Sequence, residues 1–361
     1  MSRTKKNIKI VMAMSGGVDS SVSAALLKKA GFNVVGVMMK FWKEGADGKN
    51  RCCSVESEKL ARLVAKEIGI PFYVVNAEKE FKKKVVDYFI KEYKAGNTPN
   101  PCVVCNKEIK FGLLIDKALK MGADFVATGH YATIKQGKLF KGRDKEKDQS
   151  YFLWQLNQKQ LSRVLFPVGG YTKPEVRKLA KEFNLPTAET PESQEVCFVQ
   201  DTTNNFLKKY IKNPPAGGPG KIVDVVGNIL GEHHGLWFYT IGQRKALEIQ
   251  QGPAYAKASA GKPLYVVEKN FKKNILVVSK NKKDLLKKEL VAENVNWILP
   301  QKLPLSAEVK IRYKSKLAKA KLSKSGRAVK VIFEKPQQAI TPGQSVVFYS
   351  GKELLGGGVI K

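Results

Sequence analysis

The first 150 residues alternate short apolar runs with helical runs, and this alternation limits the fold more than any other feature of the chain. Runs typical of buried strands occupy Ile8–Ala13, Asn33–Met38, Pro71–Val75 and Asp124–Thr128. Helical patterns occupy Ser20–Ala30, Glu56–Ile68, Glu78–Lys94 and Asn106–Met121. A glycine follows three of these helices directly, as is common at helix ends. The pattern predicts an α/β domain whose parallel sheet carries helices on both faces.

A proline- and glycine-rich stretch separates this part from the rest of the chain. The pattern stays helical between Tyr151 and Tyr210, and Asn213–Gly220 then has the composition of a linker. Short alternating runs typical of small β domains follow at Lys221–Val226, Trp237–Thr240, Pro263–Glu268, Asn274–Val278, Ala307–Tyr313, Ala328–Phe333 and Ser345–Tyr349. We predict a catalytic domain over 1–210, a small central β domain over 211–280 and a barrel-like domain over 281–361.

The chain is strongly basic. Its 64 Lys and Arg residues against 32 Asp and Glu give a formal charge of +32, beyond what solubility requires. Nucleic acid is the simplest anionic partner, although a lysine-rich proteome would give the same count. Basic runs occur at Lys82–Lys84, Lys141–Lys147 and Lys282–Lys288. Each run alone is typical of a solvent-exposed face, whereas together they indicate contacts to phosphates.

Composition also indicates the cellular compartment in which the protein is located. No run of eighteen apolar residues exists, which argues against a membrane span, and the apolar stretch Ile8–Met14 is too short for a secretory signal. Five cysteines, an odd number, favour a reducing environment. We therefore predict a cytoplasmic protein without a membrane partner.

The sharpest motif is Ser15-Gly-Gly-Val-Asp-Ser-Ser21, between the first predicted strand and the first predicted helix. There the glycines let the backbone approach a ligand, and N–H groups at the helix start favour an anion. The hydroxyls of Ser15, Ser20 and Ser21 add donors, and Asp19 suits holding the loop or binding Mg²⁺. The motif has neither the Walker ending nor the dinucleotide fingerprint.

This loop resembles the pyrophosphatase-type loop (PP loop) of the ATP-pyrophosphatases, which have a Rossmann-like adenine nucleotide α hydrolase fold. Those enzymes cut ATP between the α and β phosphates and pass AMP to an oxygen. The resemblance implies that ATP, with Mg²⁺, binds at Ala13, Met14, Ser15, Gly16, Gly17, Val18, Asp19, Ser20 and Ser21. It places the adenine against Val37–Met39 and Gly129 beside the ribose or adenine, although Met39 suits an ordinary core position equally well.

A second dense stretch is Thr98–Phe111, with the sequence Thr-Pro-Asn-Pro-Cys-Val-Val-Cys-Asn-Lys-Glu-Ile-Lys-Phe. Its prolines predict a rigid loop. Cys105 then falls at the start of a predicted helix, whose dipole favours the thiolate, and Lys107 and Lys110 act in the same direction. We predict a reactive thiol at Cys105, with a buried structural cysteine as the alternative.

The other cysteines carry less information by themselves. Cys197 lies in a strand-like run and alone would be interpreted as a core residue. Cys52 and Cys53 follow the glycine-containing insert Lys43–Asn50, and we interpret them as structural or incidental thiols.

Taken in order, several motifs resemble those of the bacterial and organellar tRNA 2-thiouridylase family over nearly the whole chain. They are the two stretches above together with Ala127–Ala132 (ATGHYA), Asp148–Trp154 (DQSYFLW), Glu195–Asp201 (EVCFVQD), Thr240–Lys245 (TIGQRK) and Thr341–Gln344 (TPGQ). The resemblance implies the activity, the substrate and the roles of individual residues.

By motif position, the resemblance implies that Cys105 is the catalytic nucleophile and that Cys197 receives sulfur as a persulfide from an external donor or relay protein. The pair would close to a disulfide, which a reductant would open. The target base is implied to be held by Asn100, Pro101 and Cys102. Further tRNA contacts are implied for His130, Lys147, Asp148, Gln149, Arg312, Tyr313 and Gln344.

One position departs from the family. Many members carry an acidic residue, considered a general acid or base, where this chain has Cys102. A thiol also carries a proton, but its reference pKa is about 8.5 against about 3.9 for Asp. The role of this position therefore does not transfer directly. Cys102, Cys105 and Cys197 would alternatively suit an iron–sulfur cluster.

The implied reaction begins with attack of the C2 oxygen of a uridine, at the wobble position in this family, on the α-phosphate of ATP. Sulfur from Cys197 then replaces the adenylated oxygen, directly or after Cys105 frees it as hydrosulfide. The uridine must leave its stack to reach the loop. An ATP-pyrophosphatase ligase or amidotransferase acting on a small molecule is the main alternative, and a non-catalytic RNA-binding module is a weaker one.

Overall fold

The structure is a computed structural model that describes residues 4–45, 50, 52–191, 196–212, 218–244 and 263–361. Four features of the sequence extend beyond the described residues. They are the insert Lys43–Asn50, the linker Asn213–Gly220, the motif Glu195–Asp201 at Glu195, and the motif Thr240–Lys245 at Lys245.

The N-terminal part is built from strands and helices in alternation. Its strands are β1 (Lys9–Ala13), β2 (Asn33–Lys40), β3 (Phe72–Asn76), β4 (Phe125–Ala127), β5 (Ala132–Lys135), β6 (Lys138–Lys141) and β7 (Val164–Leu165). Its helices are α1 (Val18–Lys29), α2 (Val55–Glu67), α3 (Glu78–Phe81), α4 (Asp87–Lys94), α5 (Pro101–Cys105), α6 (Leu114–Lys120), α7 (Gln158–Leu161), α8 (Lys173–Glu182) and α9 (Thr203–Tyr210). π-Helical segments at Lys82–Val86 and Asn106–Leu113 join α3 to α4 and α5 to α6.

Five of these strands form the predicted parallel sheet, in the order β3-β2-β1-β4-β7. β1 shows how both faces are covered. Ile10 and Met12 pack into an apolar cluster with α1, α2 and α8, whereas Val11 between them packs with α4 and α6. Because successive side chains of a strand point to opposite faces, the sheet is a central layer between helices, which confirms the predicted α/β architecture.

Three local features differ from the sequence predictions. The patterns missed the hairpin β5–β6 and the strand β7, because each strand is only two to four residues long. The helix predicted from Asn106 begins earlier, at Pro101, where the missing N–H of proline costs no helical hydrogen bond.

In the described part of the chain, no helix combines the length and the apolar character that crossing a bilayer requires.

The central part forms a small sheet of its own. Its strands are β8 (Gly220–Val223), β9 (Ile229–His233), β10 (Tyr265–Asn270) and β11 (Ile275–Ser279), in the order β10-β11-β8-β9. The strand predicted at Trp237–Thr240 is wrong, because a 3₁₀ turn occupies Leu236–Phe238. The Trp237 ring folds back over Gly235, whose φ of 141° permits the tight turn.

The C-terminal part is a closed barrel, as predicted. Its strands are β12 (Leu286–Trp297), β13 (Leu305–Lys310), β14 (Ala318–Ser325), β15 (Ala328–Gln338), β16 (Ser345–Ser350) and β17 (Glu353–Ile360). They pair in the order β12-β15-β14-β13-β16-β17, and β12 also pairs with β17. β6 pairs with the first two residues of β17, Glu353 and Leu354. The hairpin β5–β6 therefore connects the N-terminal part to the barrel.

Candidate active site

The loop between β1 and α1 is shaped by its own serines. The Ser15 N–H donates to Ser20 Oγ at 3.3 Å, and the Ser20 hydroxyl donates to the carbonyl oxygen of Gly17 at 2.9 Å. Gly16 has a φ of 76°, and a Cβ there would lie 2.3 Å from the carbonyl oxygen of Ser57. Glycine therefore lets the loop pass directly against α2 and into the first turn of α1, whose N–H groups favour an anion.

Gly129 lies against the same loop from the end of β4. A Cβ at this position would lie 2.8 Å from both the carbonyl carbon of Asp19 and the nitrogen of Ser20, so only glycine allows the approach. This places Ala127–Ala132 beside the predicted nucleotide loop. Among the other predicted nucleotide contacts, Ala13 ends β1, and the side chains of Met14, Val18 and Met39 are buried in apolar clusters.

Asp19 is paired with a lysine that the sequence patterns did not reveal. Lys173 Nζ lies 2.7 and 2.9 Å from the two carboxylate oxygens, and the Tyr131 hydroxyl donates to Oδ1 at 2.7 Å. Lys173 is the first residue of α8 and is only 7% exposed. A buried cation beside an anion-binding loop is suited to contact a phosphate. Pro174 lies in the first turn of α8, where proline is common, but nothing in the sequence shows that the lysine turns inward.

One cavity of about 460 Å³ brings the nucleotide loop and the cysteines together. Asp19 and Tyr131 form part of its wall, and Cys52, Cys105 and Cys197 form another part. The predicted tRNA-binding residues that also line it are Pro101, Cys102, His130, Lys147, Gln149 and Tyr313. The fold therefore brings both predicted catalytic cysteines, six of the ten predicted tRNA-binding residues and Asp19 of the nucleotide loop from distant parts of the chain to one cavity.

Four predicted tRNA-binding residues lie outside the lining of this cavity: Asn100, Asp148, Arg312 and Gln344. Asp148 is buried, and its Oδ1 accepts the N–H of Ser150 at 3.0 Å. Gln344 Nε2 donates to the carbonyl oxygen of Thr98 at 2.7 Å. Both side chains hold neighbouring segments in place, and their contacts to tRNA stay predictions.

The loop that leads into α5 is held by the central sheet and by the barrel. The Thr98 N–H donates to the carbonyl oxygen of Pro342 at 2.9 Å, and Thr98 Oγ1 lies 3.1 Å from Thr240 Oγ1. Lys269 Nζ donates to the carbonyl oxygen of Gly96 at 2.6 Å. The entry into the helix that carries two of the cysteines is therefore positioned by the C-terminal parts of the chain.

Burial dominates the acidity of Cys105. This thiol is 8% exposed, and burial raises its pKa to about 12, against an opposing effect of Lys110. Lys107 points to the surface, where its Nζ lies 3.8 Å from Glu108. The predicted thiolate preference of Cys105 is therefore wrong, because the helix begins at Pro101 and Cys105 lies inside it rather than at its start.

Cys52 and Cys197 line the same cavity. The pKa of Cys197 is raised well above its usual value by the neighbouring Cys52 thiol and by burial. Burial lowers the pKa of the neighbouring Lys110, but the surrounding thiols, led by Cys105, raise it on balance. The interpretation of Cys52 and Cys53 as structural or incidental thiols stays a prediction, and no sequence pattern placed Cys52 in the same cavity as Cys197.

The iron–sulfur alternative finds no support in this arrangement. Among the residues that the structure describes, no three His, Cys, Asp or Glu side chains are grouped so that they could hold a metal ion. Cys102, Cys105 and Cys197 line one cavity as free thiols without forming such a group.

Two polar side chains in the cavity wall have defined hydrogen-bonding roles. His130 Nδ1 lies 2.7 Å from Thr128 Oγ1, and burial lowers the pKa of His130 well below its usual value, so its ring is neutral. Asn106 is 3% exposed, and its Nδ2 donates to the carbonyl oxygen of Phe152 at 3.1 Å. Its Oδ1 is buried without a partner among the described residues, which leaves an acceptor for a donor in the cavity.

The fold and the site together define a Rossmann-like protein of the PP-loop class, in which a thiol-lined cavity adjoins the nucleotide loop and two β domains follow. Family models agree with this division. The model described as tRNA methyl transferase HUP domain matches residues 8–201, the tRNA methyl transferase PRC-barrel domain matches 204–280, and the aminomethyltransferase beta-barrel domain matches 287–360.

Curated relatives specify the family. The chain is 47% identical over 365 residues to the tRNA-specific 2-thiouridylase MnmA of Halothermothrix orenii, covering 98% of this chain and 99% of the relative. The proteins of the same name from Clostridioides difficile and Carboxydothermus hydrogenoformans are each 46% identical, over 98% of this chain and 98% and 97% of their own lengths. The chain belongs to the tRNA-specific 2-thiouridylase family.

Proposed function

We propose that this protein is an ATP-dependent tRNA 2-thiouridylase, which activates the C2 oxygen of a uridine, at the wobble position in its family, and replaces it with sulfur. The observation that carries the proposal is the single cavity that joins Asp19 of the nucleotide loop to Cys105 and Cys197. A uridine in this cavity would reach both an activated phosphate and a sulfur carrier without leaving the site.

The nucleotide loop performs the first half-reaction. The C2 oxygen attacks the α-phosphorus of ATP, the bond to the β-phosphate oxygen breaks, and pyrophosphate leaves. We propose that the N-terminus of α1 and the buried Lys173 stabilise the charge that develops on the phosphates. Mg²⁺ bound with ATP would neutralise further charge, and Asp19 is the carboxylate that the loop offers to it.

The cysteines perform the second half-reaction. A persulfide donor or relay protein loads Cys197, the outer sulfur attacks C2, and AMP leaves with the C2 oxygen. A second thiol then attacks Sγ of Cys197 and breaks its bond to the outer sulfur, so that 2-thiouridine is released and a disulfide forms, which a reductant opens. Cys105 is the partner thiol that the family resemblance implies. Asn106 lines the cavity and its Oδ1 lacks a partner among the described residues, which supports the proposal that it accepts the N3–H of a uracil ring, a hydrogen that cytosine lacks.

The basic surface supports tRNA as the partner, and the free cysteines support a cytoplasmic location. The affinity for tRNA should fall by about 10³–10⁵ between 50 and 200 mM salt if six to ten phosphates are neutralised. A filter-binding titration at several salt concentrations measures this. A flat response would assign the charge to a lysine-rich composition instead.

Mass spectrometry of nucleosides tests the reaction itself. Unmodified tRNA is incubated with the protein, ATP, Mg²⁺ and a persulfide donor, and 2-thiouridine should appear only when ATP is present. Pyrophosphate release without any thiolated base would favour the ligase or amidotransferase alternative. The Rossmann-like fold alone does not separate these, so the identity of the product decides.

A further inference from the structure

Among the described residues, six phenylalanine and tyrosine side chains line the cavity, and they differ in how much of their surface is already covered. Four of them are buried. Phe41 and Phe81 stack with ring centroids 4.7 Å apart, and Phe198 packs edge-on against Phe81 at 5.8 Å. Phe152 and Tyr313 are only half-buried, so these two residues have surface left to offer to a ligand.

Phe152 and Tyr313 meet at the junction of two parts of the chain. Phe152 lies in the 3₁₀ turn Ser150–Leu153 of the N-terminal part, and Tyr313 lies in the turn that follows β13 of the barrel. Their ring centroids are 4.6 Å apart, with 44° between the ring planes. The two rings therefore form one angled aromatic surface in the wall of the cavity.

Local hydrogen bonds hold both of these turns in place. The Phe152 N–H donates to the carbonyl oxygen of Gln149 at 3.0 Å, and the Ser315 N–H donates to the carbonyl oxygen of Arg312 at 3.0 Å. The aromatic surface therefore exists before a ligand enters the cavity, and a ring that stacks on it does not have to order these segments first.

The acceptor Asn106 Oδ1 is linked to this aromatic surface through a single hydrogen bond. Nδ2 of the same amide donates to the carbonyl oxygen of Phe152 at 3.1 Å, and Oδ1 has no partner among the described residues. A base that has left its stack is bound through its edge by hydrogen bonds and through its face by aromatic side chains. This part of the cavity offers both kinds of contact.

We propose that the target uracil stacks on Phe152 and Tyr313, which makes Phe152 a further substrate-binding residue. This inference rests on the proposed function. Stacking tolerates any base, so the two rings position the base while Asn106 recognises its N3–H. The adenine of ATP is the other base in the reaction, but the family resemblance assigns it to Val37–Met39, which are not among the described residues that line the cavity.

A double-mutant cycle between the ring and the base tests the contact directly. Binding is measured for unmodified tRNA and for the same tRNA with an abasic ribose in place of the target uridine, in the presence of the α,β-methylene analogue of ATP, which blocks adenylation. Phe152→Leu keeps the apolar bulk but removes the stacking face. It should raise the Kd for unmodified tRNA by about tenfold and leave the Kd for the abasic tRNA unchanged. An equal rise for both tRNAs, or no rise for either, overturns the proposal.

Two further variants separate stacking from a structural role. Phe152→Tyr retains the ring face and should keep the wild-type Kd for tRNA, whereas a loss as large as that of Phe152→Leu would contradict stacking. Phe183→Leu is the matched control and should bind tRNA normally, because Phe183 is also half-buried but lies at the end of α8, with Lys29 Nζ 5.3 Å from its ring centroid. The KM for ATP should stay unchanged in Phe152→Leu; a raised value would assign the ring to the nucleotide instead.

The outcomes separate this inference from the proposed function. If the wild-type protein forms 2-thiouridine and the cycle shows no coupling between Phe152 and the target base, only the role of Phe152 is wrong. If the cycle shows coupling but the wild-type protein forms neither 2-thiouridine nor pyrophosphate from ATP and tRNA, the proposed function fails while the contact between Phe152 and the base stands.

Discussion

The nucleotide loop and the thiol cavity are two neighbouring sites that are built in different ways. The loop is one continuous stretch, residues 13–21, and hydrogen bonds within it set its shape. The cavity is assembled from segments that carry Cys52, Cys105, Cys197 and Tyr313. Local sequence therefore specifies the first site, whereas the second exists only once distant segments have packed together.

The difference extends to electrostatics. In the loop, Asp19 has a partner of opposite charge at 2.7 Å, so its charge is balanced by a specific pair. In the cavity, burial controls the acidity of Cys105 more than the opposing charge of Lys110 does. A motif can therefore show where a thiol lies without showing how acidic that thiol is.

The largest effect that would test this contrast comes from the ion pair of the loop. Lys173→Met should lower pyrophosphate release from ATP and tRNA by about 10²–10³-fold, because a charged group aimed at the phosphates is lost. Lys178→Met on the same helix is the control, since its side chain is exposed and its Nζ lies 3.8 Å from Glu182. Undiminished pyrophosphate release in Lys173→Met would remove Lys173 from the phosphate site.

A steric change should come next. Gly129→Ala places a methyl group 2.8 Å from the backbone of the loop, and the resulting displacement should lower ATP use on the order of 10²-fold. Gly170→Ala is the matched control, because no atom lies within 4 Å of its Cβ position. Equal activity of both variants, measured by pyrophosphate release, would show that the loop tolerates displacement.

Removing the acceptor Asn106 Oδ1, which is unpaired among the described residues, should have an effect on activity that spans a wider range. Asn106→Ala should cost about 1–3 kcal/mol, or about 5–150-fold in kcat/KM for tRNA, with the KM for ATP unchanged. Ser23→Ala is a control, because its hydroxyl is also buried without a partner among the described residues but belongs to another part of the core. A change in the KM for ATP alone would place Asn106 with the nucleotide instead.

The smallest effect should come from the contact between the barrel and the loop before α5. Gln344→Ala removes the hydrogen bond to Thr98 and should lower the free energy of unfolding by about 1 kcal/mol. Urea denaturation measures this, with Gln338→Ala, at an exposed position, as control. Unchanged stability combined with weaker tRNA binding would make Gln344 a direct tRNA contact, as the sequence resemblance implied.

The sequence predicted most of the parallel sheet, the nucleotide loop and three of the six barrel strands, because periodicity and turn residues are local properties. It missed β7 and the hairpin β5–β6, whose strands are too short to show a period, and it also missed β9, β12, β14 and β17. It also misjudged the acidity of Cys105 and overlooked Lys173. The burial of Cys105 and Lys173, and the placing of Cys52 and Cys197 in one cavity, arise from packing between segments that no single window of sequence contains.

The central claim is that adenylation and sulfur transfer are separate steps performed by neighbouring sites in one cavity. Cys197→Ser tests it most directly, with pyrophosphate and 2-thiouridine measured in the same reaction containing ATP, unmodified tRNA and a persulfide donor. We predict that pyrophosphate release and adenylated tRNA persist while 2-thiouridine is lost. An equal loss of pyrophosphate and 2-thiouridine would contradict the division between the two sites.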